Sequence, residues 1–83
     1  MNLSKFNTFS AAARFEIVWE LGTFVGYRAR RGYRIELFNM GSFFAEVWCN
    51  PETDVVALIR GFESKGALEP YLQNINLLKM LDL

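Results

Sequence analysis

Apolar and polar residues alternate along four stretches of the chain, at positions 24–29, 33–40, 43–49 and 55–62. A period of two over four to eight residues is the mark of a β-strand with two unlike faces. The stretches are divided by turn chemistry. Arg30, Arg31 and Gly32 predict a three-residue hairpin loop whose last position is left-handed, a conformation that glycine adopts without a Cβ clash. That loop would set Ala29 against Tyr33, Tyr27 against Ile35 and Val25 against Leu37. Asn39, Met40, Gly41 and Ser42 predict the second turn, and Asn50, Pro51, Glu52, Thr53 and Asp54 the third. Connections this short predict an antiparallel meander in sequential order.

Sorting the strands by parity gives the expected faces. The odd positions carry Val25, Tyr27, Ile35, Leu37, Ala45, Val47, Val55, Ala57 and Ile59 and read as the core face. The even positions mix bulky apolar and charged groups: Phe24, Arg28, Arg34, Glu36, Phe38, Phe44, Glu46, Trp48, Val56, Leu58 and Arg60. Such a face is too apolar to be simply solvated and too charged to be a second core.

Helical signals flank the meander. Thr8 or Ser10 can cap a helix that runs to about Leu21 and ends at Gly22, with Ala11, Ala12, Phe15, Val18 and Trp19 as its apolar stripe. Ile17 and Leu21 widen that stripe, predicting contact with more than the sheet. Residues 1–7 read as an arm, with Leu3 and Phe6 available to tuck onto the domain. After a polar connection, a second helix is expected to begin between Ala67 and Pro70, presenting Leu68, Tyr71, Leu72 and Ile75 to the odd face. A bend is expected near 74–76, followed by an apolar terminal segment at 77–83. The predicted fold is a single α+β domain over 1–83, a two-layer sandwich in which a four-stranded antiparallel meander carries N- and C-terminal helices on one face (α-β-β-β-β-α).

Composition narrows the functional classes. Nine basic and nine acidic residues cancel, so the general attraction of a basic domain to nucleic acid or anionic membrane is absent. With 52% hydrophobic residues in 83, the chain has more apolar surface than so small a core readily hides. One cysteine gives no internal disulfide, no signal peptide is legible at the amino terminus, and no uncharged run approaches the ~20 residues of a membrane span. A cytoplasmic location without membrane association is the expectation.

Candidate chemistry is sparse. Histidine is absent, which removes the commonest general base and transition-metal ligand together. A lone Cys49 on the core-side parity reads as a small buried hydrophobe. No nucleophile elbow, phosphate-binding glycine loop or dinucleotide pattern occurs. Glu36 and Glu46 are the one acidic pair that adjacent strands would bring together. Arg34 and Arg60 on the same face make an ordinary cross-strand charge network the better account. No catalytic residue, metal site or cofactor is expected.

The leading expectation is therefore a non-enzymatic protein-interaction module. It would self-associate or dock a partner through Phe24, Arg28, Arg34, Phe38, Phe44, Trp48 and Arg60, because aromatic residues and arginine concentrate binding energy at interfaces. A second reading is a small-ligand or sensor domain with a pocket lined by Trp19, Tyr27, Tyr33 and Tyr71. A third is single-stranded nucleic-acid binding by Arg28, Arg30, Arg31 and Arg34 beside aromatic platforms; Glu36 and Glu46 in the middle of that platform and the zero net charge weigh against it.

Overall fold

The computed structural model describes residues 1–63 together with Gly66, Leu68 and Tyr71. Its elements are two helices, α1 (Leu3–Phe6) and α2 (Ala11–Leu21), followed by β1 (Thr23–Arg30), β2 (Tyr33–Asn39), β3 (Phe44–Cys49) and β4 (Val56–Phe62). The strands form one open antiparallel sheet in the order β1-β2-β3-β4. The α+β class, the meander and the first main helix are thus as the sequence predicts. The expected bend at 74–76 and terminal segment at 77–83 lie outside the described residues, as does all of the expected second helix except Leu68 and Tyr71.

Both helices begin where side chains can accept orphaned backbone N–H groups. Asn2 Oδ1 accepts from Lys5 N at 2.8 Å, and Ser10 Oγ accepts from Ala13 N at 3.2 Å. The expected arm is a single helical turn. It carries Phe6 into the core, where the ring is fully buried 5.1 Å from that of Phe43. Removing a side chain of that size from water contributes about 2–3 kcal/mol.

Register is where structure and expectation part. The first hairpin closes over two residues, not three: Arg30 faces Tyr33, and Arg31 and Gly32 both take positive φ, 52° and 81°. Two successive left-handed residues make a turn whose twist matches that of the flanking strands. Ala29 consequently faces Arg34, and Tyr27 faces Glu36. A β-bulge at Val25 then restores the expected neighbourhood, and Val25 joins Leu37 in a buried cluster.

In the second hairpin Asn39 faces Phe44, so odd residues of β2 lie opposite even residues of β3: Ile35 opposite Trp48, Leu37 opposite Glu46. Side chains directly opposite one another share a face. The predicted single core face is therefore divided. Ala45, Val47 and Ile59 lie on the side covered by the helices, packed with Phe6, Val18, Met40 and Phe43. Leu37 lies on the far side with Val25 and Phe62, beneath Leu68 and Tyr71. Leu68 and Tyr71 thus pack on the face opposite to α1 and α2, and the expected placement of both terminal helices on one face does not follow from the described residues.

Candidate functional site

The far face is organised around a buried carboxylate. Glu46, on the central strand β3, is fully buried and accepts four hydrogen bonds. Oε1 accepts from Arg60 Nε at 2.8 Å and Trp48 Nε1 at 3.3 Å; Oε2 accepts from the Tyr71 hydroxyl at 2.7 Å and Arg28 Nη2 at 3.3 Å. Burial alone would raise its pKa. The Tyr71 hydroxyl, the Arg60 charge and the Trp48 indole reverse that tendency and hold the carboxyl below its ordinary value. Tyr71 moves the other way, because burial and the adjacent carboxylate both resist formation of a phenolate. An acid so fully bonded has no lone pair left for a substrate, and its role is to fasten the strands and Tyr71 together.

The helix side holds the more open surface. A groove of about 230 Å³ lies between α2 and the sheet, bordered by Phe15, Val18, Trp19, Glu36, Phe38 and Cys49 among others. Trp19 is 80% exposed, and Phe15, Leu21, Phe24 and Tyr27 are also exposed. Phe24 and Tyr27 continue the surface toward β1, since they face the groove residues Phe38 and Glu36 across the ladder. The sequence predicts Phe15 and Trp19 on the apolar stripe of α2 together with Val18. In the structure α2 presents Val18 and the half-buried Ile17 to the sheet instead. Arg14 fixes this rotation: its Nη1 donates to Ile59 O at 3.0 Å and its Nη2 to Asn7 O at 2.8 Å.

The predicted interface residues do not form one surface. Arg28, Phe44, Trp48 and Arg60 belong to the far face, whereas Phe24, Arg34 and Phe38 belong to the helix side. The alternative ligand set is divided as well. Trp19 and Tyr27 are on the helix side, while Tyr33, 6.0 Å from the Trp48 ring, and the buried Tyr71 are on the far side. Glu36 and Glu46 face in opposite directions and cannot share a proton. Each has its own arginine, Arg34 for Glu36 at 3.7 Å and Arg60 for Glu46, so the expected charge pairs form on separate faces. The four hairpin arginines disperse too: Arg28 turns to Glu46, Arg34 lies over the Tyr27 ring at 4.7 Å, and Arg30 and Arg31 are left exposed at the tip.

No protein-family model, curated protein or solved structure matches the chain. Among the described residues no helix is long and apolar enough to cross a membrane, and no group of metal-ligating side chains converges.

Sequence reasoning missed two features. The Glu46 cluster needs Tyr71, which lies 25 residues away. The groove needs the rotation of α2, for which the one signal was an apolar arc too wide for a single sheet contact.

Proposed function

We propose that the chain is a non-enzymatic protein-interaction module whose binding surface is the helix-side groove and its extension onto β1: Phe15, Trp19, Phe24 and Tyr27. The observation that carries this reading is Trp19, a large aromatic 80% exposed at the rim of an apolar groove and flanked by other exposed aromatic residues. Contiguous apolar surface of this kind is costly in water and marks contact sites, and tryptophan and tyrosine are the residues that most often dominate them. This surface takes the place of the mixed aromatic and arginine face expected from the sequence. The small-ligand reading has less support, because about 230 Å³ is below the usual range for a ligand pocket and its four aromatic residues are divided between two faces. Nucleic-acid binding loses its stacking platform for the same reason.

A photo-crosslinking amino acid placed at Trp19 or Tyr27, and at Lys5 and Thr53 as controls, tests the reading in cells. Discrete protein adducts from positions 19 and 27 but not from 5 and 53 are expected. Adducts from none of the four, or equally from all, would overturn it.

A further inference from the structure

We propose that the occupant of this surface is a second copy of the same chain, joined antiparallel along the edge of β1 about a two-fold axis at Tyr27; this rests on the protein-interaction reading above. Three observations converge on it.

The first is the edge itself. β1 ends the sheet and is eight residues long. In a ladder closed by a two-residue turn the flanking pair, Arg30 and Tyr33, exchanges both hydrogen bonds, and bonded and non-bonded pairs alternate from there. The backbone N–H and C=O of Tyr27 and Ala29 therefore point away from β2. An unpaired row of this kind is a template for another strand.

The second is the side-chain match. With the axis at Tyr27, the two Tyr27 residues exchange their outward backbone bonds and meet across the helix-side face. Arg28 then stands opposite the partner's Gly26, so no two arginines are opposed and its ion pair with Glu46 is undisturbed. The bulge at Val25 shortens the regular ladder, and the exposed Phe24 and Tyr27 supply the apolar area.

The third is charge. Arg30 and Arg31 are exposed at the hairpin tip and make no ion pair among the described residues. The axis carries them to the start of the partner's β1, immediately after the carboxyl end of its α2. That end bears exposed Glu20 and Trp19, has no basic residue in its last turn, and presents the negative pole of the helix. Arg31 of each copy can pair with the partner's Glu20 and lie over the partner's Trp19.

The test is solution mass by light scattering and sedimentation equilibrium over a hundredfold dilution, with the fold followed by circular dichroism. Wild type is expected at twice the chain mass. Tyr27→Pro removes an outward N–H without touching the ladder to β2 and should give a folded monomer. Arg31→Asp, which suits a positive φ, and Glu20→Lys should each raise the dimer dissociation constant about tenfold or more, one lost charge pair per half-interface. The combined variant should recover to within about threefold of wild type. A monomeric wild type, a dimer indifferent to all three substitutions, or a combined variant no stronger than the singles would overturn the proposal. A monomer whose positions 19 and 27 still crosslink to a different protein would overturn self-pairing and leave the interaction reading standing, whereas a monomer without adducts would end both.

Discussion

The hydroxyl of Tyr71 donates to Oε2 of Glu46 across 2.7 Å, within a face where both side chains are buried. That bond joins the part of the chain after β4 to the central strand, and the same carboxylate reaches Arg28 on β1 and Arg60 on β4. One acidic side chain thus spans three of the four strands and the segment beyond them.

Tyr71→Phe keeps the ring and deletes the donor. The carboxylate remains buried with one bond fewer, so unfolding free energy should drop by about 1–2 kcal/mol, measured by urea titration. Trp48, which donates to the same carboxylate, should report the change in its fluorescence in the native baseline.

Removing the acid is more severe. Glu46→Ala leaves the guanidinium of Arg28 without its counter-charge on a largely buried face, and a loss of about 3–5 kcal/mol is expected by chemical denaturation. A variant that lost less than 1 kcal/mol would show that the network contributes little.

The pKa directions fix the shape of the pH profile. Glu46 has a folded pKa below its unfolded value, so the stability it supplies is complete above about pH 4.3 and is lost as the pH falls through the folded value. Tyr71 has a folded pKa above its unfolded value, so its contribution is complete below about pH 10 and is lost as the pH rises beyond it. Melting temperature measured from pH 2 to 11 should show a plateau falling at both ends, and Tyr71→Phe should flatten the alkaline limb.

Neighbouring residues of α2 should behave oppositely. Val18→Ala, in the core, is expected to cost about 1–3 kcal/mol, while Trp19→Ser should stay within about 0.5 kcal/mol of wild type when measured at concentrations where the chain is monomeric. The reverse ranking would mean that α2 is rotated by one position.

Gly61 permits α1 to lie directly on β4. A Cβ there would stand 2.5 Å from Leu3 Cδ1 and 3.1 Å from Phe6 Cδ2. Gly61→Ala is expected to cost about 1–3 kcal/mol, and Leu3→Ala combined with it should recover part of that loss in a double-mutant cycle.

The strands and α2 were legible in the sequence because alternation, turn residues and a serine cap agree over the same stretches. The pairing of faces was not, because it depends on how many residues each turn consumes. Arg31 accepts a positive φ that side chains other than glycine, asparagine and aspartate seldom take, which shortened the first loop by one. Val25 and Ala57 add a residue to one strand of their pairs without any compositional mark. The rotation of α2 was hidden in the same way, since Arg14 anchors the helix through carbonyls of Asn7 and Ile59 that hydropathy does not register. Glu46 illustrates the limit most clearly: alternation placed it beside Trp48 and Arg60 in sequence space, but its burial follows from Tyr71 arriving from above.

The reversal of parity between β2 and β3 bears on how this chain can vary. Ser42 is exposed and open to exchange, whereas Gly41 takes a φ of 97° that other side chains rarely adopt, and the number of residues in the turn is fixed by the pairing on either side. Deleting one residue between Asn39 and Phe44 would invert β3 relative to β2 and turn Glu46 toward Phe6 and Val18, with Val47 facing the arginines. In this turn substitutions should be tolerated at Ser42 and resisted at Gly41 and at the buried Met40 and Phe43, and single-codon insertions or deletions should be lethal to the fold.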